Sequence, residues 1–311
     1  MEKKFPWIEQ MKKESYRFDD SNPHLRFSSV QKYLSFYSFD MQELHEYRCG
    51  RVTSSGQEVF IQGFLKKEPK GTVFFVHGYL DHTGGLSHTV NDLLENNYQV
   101  VTVDLPGHGF SQGEPGTIST FDDYVQAVKD CCDVFRKELS ISKFIGFGHS
   151  TGGAILFHAA SEKIVRLDKL ILVAPLYFPY RWNITKGTLK FIGKFIHKSK
   201  RRFKKNSEDE KYRKFVRGDP LQVQQLKSDW VLAMEKWQEH IVECPILNTP
   251  VYLLQGGKDT TVDWNENIEF YKHKCRDIQV AYFPAGRHQL LNEQASIRHH
   301  VYNRISCFLG E

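Results

Sequence analysis

Gly148-His149-Ser150-Thr151-Gly152 sets a serine between two glycines, each two residues away. A serine hydroxyl becomes a useful nucleophile when a neighbouring base takes its proton. It must also stand clear of its surroundings, and a tight strand-to-helix turn of the form G-x-S-x-G achieves this. The flanking glycines let neighbouring backbone approach closely. Phe144 to Phe147 before the turn is a strand-like apolar run, and Gly152-Gly153-Ala154 after it opens a helical pattern. Ser150 would then stand at a helix N-terminus, where N–H groups and the dipole favour developing negative charge.

Such a serine needs a base and an acid, which follow it along the chain in the order acid, then histidine. Val251 to Leu254 is a strand-like run ending in Gln255-Gly256-Gly257-Lys258-Asp259, and Ile278 to Phe283 leads into Ala285-Gly286-Arg287-His288. Both residues lie just past the carboxyl ends of strands. His288 is the expected base, and Asp259 is expected to hold its tautomer and stabilise the imidazolium. Asp263 is the nearest rival acid. His77-Gly78-Tyr79-Leu80-Asp81-His82 follows another strand and occupies the place of a loop that supplies one oxyanion N–H. The expected donors are the backbone N–H groups of Tyr79 and Thr151, with His77 and His82 bracing the loop.

The elements that must position these residues are legible in outline. Thr72 to Val76, Val100 to Val103, Phe144 to Phe147, Leu170 to Val173, Val251 to Leu254 and Ile278 to Phe283 are short apolar runs rich in β-branched and aromatic residues. Runs buried on both faces and separated by helical patterns imply a mostly parallel sheet with helices on both sides. Helices are expected at Leu86 to Asn96, Phe121 to Leu139 and Gly152 to Glu162. Tyr47 to Val52 and Glu58 to Leu65 read as a β-hairpin about Ser54-Ser55-Gly56. The division expected is an N-terminal extension with some helix over 1–43, a core over 44–175, a helical cap without strands over 176–244, and the rest of the core over 245–311.

A chain of 311 residues, 40% of them hydrophobic, can bury a large core, and its formal net charge of +5 is mild. The 6 cysteines show no CxxC or Cys/His ligand spacing, so no zinc site is expected, and they read as reduced thiols. The first residues lack the apolar run of a signal peptide, and no stretch is long and apolar enough to span a bilayer. These features favour a cytoplasmic protein.

HGYLDH, DLPGHGFSQG, GFGHSTGGAI, the strand-borne aspartate and GRHQLLNE together resemble the monoacylglycerol lipase and lysophospholipase branch of the α/β-hydrolases. Members of that branch carry a similar HGxxEH loop, GHGxSxG loop, GHSMGG elbow and late histidine. Arg217-Gly218-Asp219-Pro220-Leu221 resembles the DPL element at the end of their cap. The likeness covers roughly residues 70 to 300 on motif placement. It implies the α/β-hydrolase fold, with Asp81 in place of the usual glutamate and Thr151 in place of the usual methionine.

In the expected cap, Lys186, Lys190, Lys194 and Lys198 fall four apart, one stripe of a helix. Trp182, Leu189, Ile192, Phe195, Ile196 and Phe203 take the other side, and Lys200, Arg201, Arg202, Lys204 and Lys205 extend the charge. A cap helix with a solvated basic face is one reading; a helix that also meets an anionic membrane surface is the other. Nucleic acid is not expected, since no recognition module accompanies the charge. The expected activity is hydrolysis of a single-acyl-chain ester, on a monoacylglycerol or lysophospholipid, without metal or organic cofactor. The alternatives are a short-chain esterase, an aminopeptidase-like amidase, or a binding module that keeps the fold without the chemistry.

Overall fold

The computed structural model describes residues 5–182, 198–201 and 203–310. Eight strands form one sheet in the order β1-β2-β4-β3-β5-β6-β9-β10. These are β1 (Glu46–Ser54), β2 (Gln57–Leu65), β3 (Thr72–Val76), β4 (Gln99–Val103), β5 (Ile145–His149), β6 (Lys169–Val173), β9 (Val251–Gly256) and β10 (Ile278–Phe283). The β1–β2 hairpin and the β2–β4 pair are antiparallel; every pairing from β4 to β10 is parallel. The apolar runs fall where the sequence pattern predicts, because the inner strands are buried on both faces. This is the α/β-hydrolase fold.

The helices are α1 (Pro6–Lys13), α2 (Ser28–Phe36), α3 (Ser87–Glu95), α4 (Phe121–Leu139), α5 (Thr151–Ser161), α6 (Glu210–Gly218), α7 (Ser228–Ile241), α8 (Trp264–Lys274) and α9 (Ala295–Gly310). A capping box starts α4: the Thr120 hydroxyl accepts from the Asp123 N–H while the Asp123 carboxylate accepts from the Thr120 N–H. Helices α4 and α5 pack on one face of the sheet, in a cluster that includes Phe74, Phe135, Ile155 and Leu172. On the other face, α3 and α9 bury Val90, Leu94, Val301 and Ile305 with Phe75 and Phe147.

Residues 5–43 do not trail away from this core. Trp7, Tyr33 and Tyr37 are buried with Phe110, and Tyr33 accepts a hydrogen bond from Gln62 of β2 at 3.1 Å. Their aromatic residues show no single period because they are gripped from several sides at once.

Between β6 and β9 the chain departs from the expected all-helical pattern. Lys198–Lys200 (β7) and Gln225–Lys227 (β8) pair antiparallel as a separate two-stranded sheet. Each strand is three residues long and mainly polar, so neither carries the apolar alternation that marks a half-buried strand. Lys186, Lys190 and Lys194, with Leu189, Ile192, Phe195, Ile196 and Arg202, lie outside the described residues. Arg201 departs from its expected place on a solvated basic face. Its Nη1 donates to the carbonyls of Leu80 and Val223 and to Gln222 Oε1, at 3.2, 3.1 and 2.7 Å. Three convergent acceptors hold a guanidinium inward more firmly than scattered water contacts would.

Candidate active site

Ser150 stands between β5 and α5 with φ 51° and ψ −115°. That conformation is uncommon for a residue with a Cβ, and the surrounding packing must hold it. Gly152 supplies part of the room: a Cβ there would lie 2.2 Å from the Val76 carbonyl oxygen and 2.5 Å from that of His77. A side chain at 152 would drive α5 away from β3, so this position of the pentapeptide is fixed by sheet-to-helix distance.

Asp259 and His288 lie in direct contact. His288 Nδ1 lies 2.8 Å from Asp259 Oδ2, with both side chains buried. Oδ2 also accepts from Gln255 Nε2 at 3.1 Å, and Oδ1 from the backbone N–H groups of Thr261 and Val262 at 2.7 and 3.2 Å. Burial pushes the Asp259 carboxyl up, but His288 and the two N–H groups outweigh it and hold the group below its ordinary range. The carboxylate is thus ionised, and with Nδ1 engaged the remaining ring nitrogen, Nε2, is the one placed to exchange a proton. Asp263, the rival acid, is the N-cap of α8 and does not reach this imidazole; its own N–H donates to Phe178 O at 2.8 Å.

The elbow and the histidine loop are joined by His149. Its Nε2 donates to the His288 carbonyl at 3.1 Å, and the two rings lie 5.0 Å apart. Burial pushes His149 down to about 3, so it is neutral near neutral pH. Glu293 fixes the loop from the other side, accepting from the Arg287 N–H at 2.8 Å and the Glu208 N–H at 2.7 Å. Neither role was visible in the sequence, although both residues belong to the quoted GHSTG and GRHQLLNE segments. Among the described residues the Ser150 hydroxyl has no hydrogen-bond partner. Bonds of this kind are commonly long without substrate.

The loop after β3 lies against the serine. A Cβ on Gly78 would sit 3.2 Å from Ser150 Cβ, which explains a glycine there and brings the next residue, Tyr79, to the elbow. The adjoining Leu80 has φ 69°, and its N–H donates to His108 Nε2 at 3.1 Å. His77 Nε2 accepts from the Leu105 N–H at 2.9 Å while its Nδ1 donates to Gly78 O at 2.8 Å. Burial pushes both His77 and His108 down to about 3, so both are neutral braces. Thr151 is the first residue of α5, and its N–H and that of Tyr79 have no protein acceptor among the described residues. His82 Nε2 donates to Asp219 Oδ2 at 2.9 Å, and Tyr37 donates to the other carboxylate oxygen at 2.7 Å. The DPL aspartate therefore binds both the loop and the N-terminal segment.

Aromatic residues of the segment between β6 and β9 pack on this loop and on the neighbouring helices. Trp230 stacks on the Tyr79 ring at 3.8 Å and 11°, and Trp237 stacks on Phe121 at 5.1 Å. Tyr177 stacks on Phe270 at 3.8 Å.

A family model described as "Serine aminopeptidase, S33" matches residues 67–295. The Monoglyceride lipase of Mus musculus is 30% identical over 126 residues, which cover 40% of this chain and 42% of the mouse protein. The Monoglyceride lipase homolog of Monkeypox virus is 25% identical over 254 residues, 78% of this chain and 90% of the viral one. The match thus spans less than half of the mouse protein's length and most of the viral protein's. Among solved structures, the monoacylglycerol lipase of Paleococcus ferrophilus superposes with TM-score 0.70 at 20% identity, over 81% of this chain and 98% of that one. A soluble variant of the Saccharomyces cerevisiae monoglyceride lipase superposes with TM-score 0.72 at 18% identity, over 83% and 93%. These structural likenesses carry the fold.

Proposed function

The chain belongs to the S33 serine aminopeptidase family of α/β-hydrolases, and from that premise we propose that it hydrolyses carboxylic esters of single-acyl-chain lipids, monoacylglycerols or lysophospholipids. The observation that carries the reading is the buried contact of 2.8 Å between His288 Nδ1 and Asp259 Oδ2 beside a strained Ser150. A binding module would have no use for that arrangement.

In this mechanism Ser150 Oγ attacks the ester carbonyl carbon as His288 Nε2 takes its proton. Asp259 keeps the imidazole in the right tautomer and stabilises the cation that forms. The Tyr79 and Thr151 N–H groups hold the negative oxygen of the tetrahedral intermediate. His288 returns the proton to the leaving alcohol, leaving an acyl-Ser150 ester. Water, deprotonated by the same nitrogen, then releases the fatty acid and restores the serine. None of these steps calls for a metal or organic cofactor.

The choice of a lipid is supported by Trp230 stacked on Tyr79 of the loop, with Trp237 and Tyr177 adding aromatic surface in the same segment, and by relatives named as monoglyceride lipases. An acyl chain gains from apolar walls, about 25 cal/mol per Å² of surface removed from water. We infer a role for the surface charge as well. Lys186, Lys190 and Lys194 lead the protein to anionic membranes, where its substrates reside. No described helix is long and apolar enough to cross a bilayer.

The test is a hydrolysis panel of monoacylglycerols, lysophospholipids, short-chain esters and aminoacyl amides, with Ser150→Ala beside wild type. The expected result is turnover of a single-chain lipid ester and of no amide, with hydrolysis and fluorophosphonate labelling both abolished in a folded variant. Preferred cleavage of aminoacyl amides would overturn the lipid reading, and undiminished labelling of the variant would overturn Ser150.

A further inference from the structure

A second cluster of chemically capable side chains lies at the far end of α5. His158 and Glu162 are one helical turn apart, with Nε2 3.3 Å from Oε2. His240, in the last turn of α7, approaches from the segment between β6 and β9, its Nε2 2.7 Å from Glu162 Oε1. The two imidazole rings lie 5.3 Å apart. Among the described residues this is the one group of three such side chains whose ligand atoms all lie within 4.8 Å of one another.

His158 is 1% exposed, yet neither ring nitrogen has a hydrogen-bond partner. A buried imidazole is ordinarily satisfied, so two unpartnered nitrogens require an explanation. Its Nε2 faces the carboxylate at 3.3 Å without hydrogen-bond geometry. In a tetrahedral site with bonds of about 2.0–2.1 Å, neighbouring ligand atoms stand roughly 3.3 Å apart.

We propose that His158, Glu162 and His240 form a binding site for a borderline divalent transition metal, zinc in the first instance, that ties α7 to α5. Two imidazoles and one carboxylate suit zinc rather than magnesium or calcium, which take oxygen ligands. Three protein ligands leave a fourth position for water. Half-exposed His240 and partly exposed Glu162 open the site to solvent, giving the ion a path of entry. His158 is eight residues along the helix from Ser150, roughly 12 Å at 1.5 Å per residue. The ion is thus distant from the proposed chemistry. What it joins are two helices that begin at the candidate site: α5 follows Ser150, and α7 carries Trp230 on the Tyr79 ring. The site was invisible in the sequence because its third ligand comes from another element, 78 residues away from Glu162.

The test uses the full chain after dialysis against a chelator. Zinc is titrated by calorimetry, and cobalt(II) by the visible absorption of a tetrahedral ion. The variants are His240→Ala, Glu162→Gln and, as a control away from the cluster, His300→Ala. Circular dichroism monitors folding of each. The expected result is one equivalent of zinc, a tetrahedral cobalt spectrum, and a zinc-dependent rise in melting temperature. Affinity should fall roughly 100-fold or more in His240→Ala and Glu162→Gln, at or beyond the loss typical of disturbed metal shells. It should be unchanged in His300→Ala. Absence of saturable binding by wild type, or binding that survives both cluster variants, overturns the site.

Discussion

The indole of Trp230 lies 3.8 Å from the phenol ring of Tyr79, within 11° of parallel. Tyr79 supplies one proposed oxyanion N–H, so a residue between β6 and β9 presses on the loop that must aim that donor. Trp230→Ala should remove this support. A displacement of about 1 Å can cost up to about 10²-fold in rate. The expected outcome is a fall in kcat with soluble short-chain and long-chain esters alike. A rise in KM for long chains alone, with kcat unchanged, would show that Trp230 acts only as pocket wall.

Asp259→Asn should lower kcat by about 10⁴-fold, because an amide cannot hold the imidazole in the tautomer whose Nε2 is free to accept a proton. Asp263→Asn should leave kcat within a fewfold of wild type, since that residue caps α8 and its side chain makes no cap bond. Steady-state kinetics on a soluble ester, with both variants side by side, decides which carboxylate is coupled to the histidine.

Stability should fall as the solution is acidified below pH ~6.5, the ordinary histidine value. Burial pushes His77, His108 and His149 down to about 3 in the folded chain. Between these values the unfolded chain binds protons that the folded chain refuses. The stability contributed by these groups is therefore present above the unfolded value and lost as pH falls toward the folded one. Each contributes a slope of up to about 1.4 kcal/mol per pH unit. Urea midpoints measured from pH 7.5 to 4.5 should show the loss, and His149→Gln should flatten it. A midpoint that stays constant over this range would contradict the neutral, buried assignment.

Replacing Lys186, Lys190 and Lys194 with glutamine should weaken binding to phosphatidylglycerol vesicles by about 1 kcal/mol per residue at moderate salt. Turnover of a soluble short-chain ester should not change. Arg201→Gln should behave in the opposite way. Vesicle binding should be retained, while stability falls by about 1–3 kcal/mol, because the Val223 carbonyl loses its donor and the Leu80 carbonyl keeps only the Val223 N–H. Co-sedimentation and thermal melts separate the two. Equal vesicle binding by the triple variant and wild type would leave the lysines as solvated charge only.

How far the sequence carried these conclusions depended on where each signal resided. The inner strands were legible because Thr72–Val76 and Val251–Gly256 state their burial in apolar runs, and the edge strand Ile278–Phe283, only partly buried, because of its β-branched and aromatic residues. Asp259 and His288 were legible because each follows such a strand, on the sheet edge that Ser150 shares. The β7–β8 pair was not, because strands of three mainly polar residues carry no periodicity. His149 and Glu293 lay inside recognised segments, but their tasks are set by a bond to a backbone carbonyl and by bonds from backbone N–H groups. Side-chain type says nothing about partners of that kind. The place of Arg201 is illegible for a related reason: charge in a basic run reads as solvated, whereas here carbonyls from distant segments converge on it.

The bond from Tyr37 to Asp219 joins residues 182 positions apart. At synthesis rates of about 5–20 residues per second, roughly 10–35 s separates the emergence of the two partners. For that interval the aromatic N-terminal segment is made but lacks the carboxylate that anchors it. The contacts of Trp7 and Tyr33 with Gln62 and Phe110 can form as soon as those residues emerge, whereas the tie from Tyr37 to Asp219 has to wait for the segment between β6 and β9.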